Sequence, residues 1–341
     1  RKKGVSIMSL RIKAEEMKAT FIEKLKAHGI TDMEIADECA AIMVENSVNG
    51  VYSHGVNRFP RMISYIDKGY IKPDMRPSLV QSFGAFEKWD GNLGMANTNA
   101  RICMDRAIAL AKQFGIGCVA LKNTNHWMRG GQYGLQAADA GCVGICWSNT
   151  QPNMPAWGGV DCRIGNNPFI LCVPKEGGHL MMDGAMSQFS YGKLETTRLA
   201  GKKLPVIGGY DTNGELTDDP GEIEKSKRLI PMGYWKGSGM SILLDMIATI
   251  LSDGNSVCEV GKLGGDEYAL SQIFIAIDAE RTTDRREALL DNIIEDVKNS
   301  IPVSEKSRPR VPNERSNRVR EENLADGIPV DESVWQTILA L

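Results

Sequence analysis

Only four histidines occur in the chain, and two of them sit among the neighbours that acid–base chemistry needs. The first run is Tyr52-Ser53-His54-Gly55-Val56-Asn57-Arg58, and the second is Asn125-His126-Trp127-Met128-Arg129-Gly130-Gly131. An imidazole, with an unperturbed pKa of about 6.5, exchanges protons near neutrality. A guanidinium grips a carboxylate through a rigid two-pronged donor set. Together they can hold a small anionic substrate and move a proton beside it. On this reading His54 is a general acid/base, Ser53 orients it and Arg58 anchors a carboxylate. His126 then polarises a substrate oxygen, and Trp127 walls the pocket. The same spacings also suit a capping Ser53, a partly buried His54, a surface Arg58 and a core His126 beside a packing tryptophan. Both readings stand on spacing alone.

The elements that must position these residues can be read from periodicity. Pro60 is comfortable only in the first turn of a helix, so a helix starting near Asn57 leaves Ser53 and His54 in the preceding turn. His126 follows an apolar run at 116–121, and loops at strand ends are where α/β proteins place binding groups. The first 70 residues read as helical. Met17, Phe21, Ile22 and Leu25 share a face with Gly29 as the cap, and Thr31 and Glu34 are spaced as a capping box for the next helix. A third helix is expected over 102–114. Runs at 116–121, 143–147, 169–173 and 272–277 have strand length and lie near turn residues. Helices are expected over 239–251 and 282–299, the latter with Leu289, Leu290, Ile293, Ile294 and Val297 as its apolar face. The alternation predicts a layered α/β domain with a helical N-terminal segment packed on a central sheet. Residues 200–231 and 303–327 are polar or charged, and read as surface excursions or lids.

Composition excludes several classes of partner. The 341 residues carry a net charge of −3 with no basic stretch, so nucleic acid is not an expected partner. No apolar run approaches the ~20 residues a bilayer needs, and no apolar core follows Arg1-Lys2-Lys3 to make a secretory signal. The eight cysteines are scattered. Cys142 and Cys146 are close, but no histidine lies near them, so reduced buried thiols in a cytoplasmic protein are expected rather than a metal site. No HExxH occurs, and His28 and His179 look uninvolved. The dinucleotide fingerprint and the Walker pattern are both missing. Lys236-Gly237-Ser238-Gly239 opens a helix, where a phosphate could meet free N–H groups. Gly165-Asn166-Asn167-Pro168 is a second tight turn. A non-redox sugar-acid binder or a metal hydrolase built on the two histidines remains a distant alternative.

The order of the short motifs narrows the choice. Ser53-His54-Gly55-x-x-Arg58, Asn125-His126, Gly158-Gly159, Gly165-Asn166-Asn167-Pro168, Met182-Asp183, Leu204-Pro205, Asp219-Pro220 and Pro231-Met232-Gly233-x-x-Lys236-Gly237 run in sequence along the chain. In this order they resemble the malate/L-lactate dehydrogenase family that lacks a Rossmann fold and includes ureidoglycolate and sulfolactate dehydrogenases. The longer strings around His54, His126 and Lys236 mark a narrower group within it. Asn166 stands where a threonine is usual, Gly184-Ala185 departs from a common Asp-Met-Ala or Asp-Met-Ser, and Asn313 replaces a turn glycine.

The resemblance implies an NAD-dependent oxidoreductase, NADH preferred, acting on a small α-keto acid carboxylate. It also implies a mixed central sheet, a cytoplasmic homodimer, and His54 or His126 as the proton donor. Cofactor contacts of the family map onto Thr150, onto Leu180, Met181, Met182, Asp183, Gly184, Ala185 and Met186, onto Lys236 and Gly237, and onto Asn313, Glu314 and Arg315. The expected organisation is extraneous or disordered residues 1–7 before Met8, then a helical segment 8–115 bearing the His/Arg pair. An α/β cofactor-binding core follows over 116–300, and a segment 301–341 returns to the N-terminal part.

Overall fold

The computed structural model describes residues 9–305 and 307–341; residues 1–7 and the side chain of Arg315 lie outside the described residues. Strand β1 (Ser9–Ile12) leads into α1 (Ala14–Ala27), α2 (Met33–Val48) and α3 (Phe59–Asp67). The hairpin β2 (Ser78–Phe83) and β3 (Phe86–Asp90) precedes α4 (Ala96–Phe114), β4 (Ile116–Thr124), α5 (Gly131–Asp139) and β5 (Cys142–Ser148). A small ribbon, β6 (Met154–Pro155) and β7 (Cys162–Ile164), comes before β8 (Phe169–Val173) and β9 (Leu180–Gly184). Next are α6 (Tyr191–Leu199), the ribbon β10 (Gly209–Tyr210) and β11 (Leu216–Thr217), α7 (Pro220–Ser226) and the long α8 (Trp235–Ser252). The chain closes with α9 (Val257–Lys262), β12 (Leu270–Asp278), α10 (Arg286–Lys298), α11 (Glu314–Asp326), β13 (Ile328–Asp331) and α12 (Glu332–Ala340).

Seven strands form the central sheet in the order β2-β3-β4-β12-β5-β8-β9. The β3–β4 pair is parallel and the others are antiparallel, so the sheet is mixed. Its two faces follow from the period of two along a strand. Phe274 and Ala276 of β12 pack with Ala107, Leu110 and Tyr133 from α4 and α5. Ile273 points the other way, into a cluster with Leu244 and Ala248 of α8. A third cluster joins α1, α2 and α3, where Phe21 stacks on Phe59 at 4.0 Å. Strand β1 pairs antiparallel with β13, which brings the end of the chain against the N-terminal helices.

The four expected strands are present as β4, β5, β8 and β12, each extended by one to three residues at one or both ends or matched as read. Strands β2, β3 and β9 carry no clear apolar alternation; every residue of β2 is exposed, so nothing in its sequence announces a buried face. The cap of α2 is Asp32, whose carboxylate accepts the Glu34 and Ile35 N–H groups. Thr31 is instead held by Asp74, its hydroxyl donating over 2.6 Å. The expected apolar face of α10 is not covered: no residue of that helix is buried, and Ile293 is 62% exposed. Residues 204, 223, 229 and 230 are buried, so the polar stretch 200–231 is anchored to the core rather than free. The charged stretch near the C-terminus contains α11.

Candidate active site

The turn bearing His54 is fixed by α2 beneath it. The Asn46 side chain donates to the His54 carbonyl at 3.1 Å, and the Val56 N–H donates to the Ser47 hydroxyl at 2.9 Å. Gly55 packs so closely on α2 that a Cβ there would lie 2.2 Å from Ser47 Oγ and 2.9 Å from the Met43 carbonyl. Only glycine fits at that approach. Two short helical turns, Tyr52–His54 and Val56–Arg58, then deliver the chain to α3, with Pro60 in its first turn. The missing proline N–H would have been unpaired there in any case.

The second imidazole arrives from the loop after β4. The Asn125 carbonyl accepts a hydrogen bond from Gln272 of β12 at 3.0 Å, and the Trp127 carbonyl accepts one from Tyr133 at 2.7 Å. Trp127 is 2% exposed and packs on Tyr133 and Phe274 while its edge borders the site. Met128 takes the left-handed region, φ 68, and so turns the chain between His126 and Arg129. The two loops place the rings of His54 and His126 5.6 Å apart, nearly parallel.

The two imidazoles have different environments. The Met128 N–H donates to His126 Nδ1 at 3.2 Å, so in the neutral ring the proton sits on Nε2. Burial, then the nearby Arg58, His54 and Arg61, holds His126 well below the ordinary histidine value. His126 is therefore a neutral donor at pH 7. His54 has Ser53 Oγ 2.9 Å from its Nδ1. Burial lowers its pKa; Asp183 opposes that, and Arg58 and Arg129 add to it.

Arg58 lies 3.8 Å from the carboxylate of Glu267, which is buried in the loop before β12. Burial raises the Glu267 carboxyl, while Arg58 and Arg61 pull it down. On the other side, Arg129 Nε stands 3.7 Å from Asp183 of β9, whose carboxylate also accepts the Gly131 N–H at 2.8 Å. Each imidazole pair member thus sees a cation with a carboxylate behind it. Glu267 and Arg129 had no role assigned from the sequence. Glu267 is distant from Arg58 in the chain and carries no motif; Arg129 lies within the run that contains His126.

Ser53, His54, Arg58, His126 and Trp127 all border one cavity of about 1240 Å³. So do Thr150, Met181, Asp183, Gly184, Ala185, Asn313 and Glu314 among the residues expected to meet a cofactor. Leu180 and Met182 lie on the opposite face of β9 from Met181 and Asp183, as strand alternation requires. Met186 is buried in the cluster under α8, and Gly237 is buried against Met232. Lys236 is exposed, with its ammonium over the Trp235 ring at 5.7 Å.

The cavity is larger than the ~300–1,000 Å³ of an ordinary small-ligand pocket, so it has room for a nucleotide cofactor beside a small acid. Two buried oxygens on its wall, Asn153 Oδ1 and Ser187 Oγ, have no hydrogen-bond partner among the described residues. At Gly184 and Gly192 an added Cβ would meet nothing within 4 Å, so bare backbone faces the opening. Unpaired polar atoms and accessible backbone suit an amide and ribose hydroxyls, and these residues fit a nicotinamide nucleotide. No group of three or more His, Cys, Asp or Glu side chains among the described residues could hold a metal ion.

The chain matches the malate/L-lactate dehydrogenase family over residues 12–339. It is 51% identical over 334 residues to the 2,3-diketo-L-gulonate reductase of Citrobacter koseri, covering 97% of this chain and 100% of that one. The enzyme of the same name from Escherichia coli strain K12 is 50% identical over the same shares of both chains. Among solved structures, the sulfolactate dehydrogenase of Methanocaldococcus jannaschii superposes with a TM-score of 0.88 at 27% identity, covering 96% of this chain and 95% of that one. The malate dehydrogenase of Entamoeba histolytica reaches 0.90 at 24% identity, over 98% and 97%, and shares the fold.

Proposed function

Since the chain belongs to the malate/L-lactate dehydrogenase family and is an oxidoreductase, we propose that it reduces 2,3-diketo-L-gulonate to 3-keto-L-gulonate with NADH. The observation that carries this reading is the meeting of two imidazoles and a guanidinium at one cavity, in a chain half identical along its length to reductases of that name. A bound nicotinamide supplies the hydride for the carbonyl carbon and leaves the rest to the protein.

Arg58 holds the C1 carboxylate, with the Glu267 carboxylate 3.8 Å behind it. The neutral His126 offers its Nε2 proton to the reacting C2 oxygen as a hydrogen bond. His54, steadied by Ser53, gives up its proton to that oxygen as alkoxide charge develops, a step worth typically ~10²–10⁴ in rate. Thr150, Asp183, Gly184, Ala185, Asn313 and Glu314 would meet the cofactor along the cavity wall.

We place the enzyme in the cytoplasm as a homodimer. Its eight cysteines are all unpaired, which suits a reducing compartment, and among the described residues no helix is long and apolar enough to cross a membrane. The outer face of α8 leaves Leu243 56% and Ile250 73% exposed, an apolar stripe that a second copy would cover.

The test is oxidation of NADH with 2,3-diketo-L-gulonate, run beside pyruvate, oxaloacetate and NADPH. Preferred turnover of the diketo acid with NADH is the expected result. Preference for a simpler keto acid would discard the substrate and keep the chemistry. Absence of turnover with every keto acid would overturn the reading.

A further inference from the structure

We propose that Arg129 is a second substrate anchor, reading oxygens of the substrate chain beyond the reacting carbonyl and so selecting long, oxygen-rich keto acids over short ones. The inference rests on the reduction proposed above and names the part of the acid that is read. Arg129 borders the same cavity as His54 and Arg58, yet its side chain is only 5% exposed. Among the described residues its one ion pair runs from Nε to Asp183 over 3.7 Å, longer than a hydrogen bond. Its Nη1 is buried and has no hydrogen-bond partner among the described residues.

A buried charged donor without a partner is costly, so a fold that retains one at a cavity wall has a use for it. The Asp183 carboxylate is itself fixed by the Gly131 N–H, and the left-handed Met128 sets the chain between His126 and Arg129. Arg129 is thereby held from behind with donor capacity to spare. Arg58 and Arg129 line the same cavity as His54, and both lower the pKa of that ring. With Arg58 on the C1 carboxylate and C2 at the imidazoles, Arg129 is left for oxygens from C3 outward. Its planar fork can take two of them at once, a keto and a hydroxyl oxygen. A three-carbon keto acid has no such oxygen and needs only the first cation.

The test compares Arg129→Met and Arg129→Lys with the wild type. The readouts are kcat/KM for 2,3-diketo-L-gulonate and for pyruvate, the dissociation constant of NADH, and the midpoint of thermal unfolding. Arg129→Met is expected to lose about 10- to 100-fold on the long acid, as for a charged hydrogen bond removed. Whatever the change does to His54, whose pKa Arg129 helps to lower, falls on both acids alike, so kcat/KM for the long acid relative to pyruvate should drop by that factor, with a smaller change in NADH affinity. Arg129→Lys keeps the charge beside Asp183 and therefore the fold, but lacks the fork, so it should lose on the long acid alone and by less. Equal losses on both acids, no loss on either, or a matching loss of NADH affinity would overturn the role of Arg129. If Arg129→Met does not fold, Arg129→Lys decides between the same outcomes. A wild-type enzyme that prefers pyruvate discards the proposed substrate, and this inference with it.

Discussion

The proposed division of work between His54 and His126 follows from the difference in their surroundings. A ring whose Nδ1 is filled by a backbone N–H and whose charge is opposed by burial is kept neutral, and that is His126. His54 also has a lowered pKa, from burial first and then Arg58 and Arg129, against the pull of Asp183. Reduction needs its protonated form. In the free enzyme, kcat/KM for reduction should therefore fall as pH rises, along a limb below the ordinary ~6.5, while the reverse oxidation rises over the same interval. A bound substrate carboxylate adds negative charge, so the limb in kcat should lie at higher pH than the limb in kcat/KM. His54→Ala should lose ~10²–10⁴ in turnover together with the limb. A limb that persists in His54→Ala would count against the assignment. These residues were legible in the sequence because histidine is scarce and each lies in a distinctive run. Glu267 was not, because its meaning depends on a loop that folds back onto Arg58 from far along the chain.

The elements matter through the precision with which they hold those side chains. Strands β4, β5, β8 and β12 were legible as apolar runs because each lies inside the sheet, flanked by strands on both sides, and carries buried side chains. The edge strands β2 and β9 were not, since exposure removes the alternation that periodicity relies on. For the same reason β9 could be nominated as a segment only through resemblance, and the sheet decides which of its side chains face the cavity. The approach of Gly55 to α2 was also invisible without coordinates. Gly55→Ala would drive its methyl into Ser47 and the Met43 carbonyl, so the turn must move. A displacement near 1 Å can cost ~10² in rate, and that loss is expected in kcat with NADH affinity retained. Steady-state kinetics beside a cofactor titration checks this; wild-type turnover would mean the turn is not what positions His54.

At the scale of the molecule, one sheet with helices on both faces gathers the site from segments that are distant in sequence. The N-terminal helices bring His54 and Arg58, the loop after β4 brings His126 and Arg129, and β9 brings Asp183. The pairing of β1 with β13 holds the end of the chain against its start, and Asn313, whose amide donates to the His179 carbonyl, borders the same cavity together with Glu314. The exposed stripe on α8 makes a further expectation: sedimentation should report a dimer, and Leu243→Glu with Ile250→Glu should weaken it. A dimer unchanged by both substitutions would move the interface elsewhere. In the proposed reaction a hydride reaches C2 of a keto sugar acid held beside His54. The most direct measurement uses NADH carrying two deuteriums at the nicotinamide C4, so that either face delivers label, and locates the label in the product by NMR. One deuterium at C2 is the predicted result. A product labelled at C3, or one with no deuterium, would contradict the account.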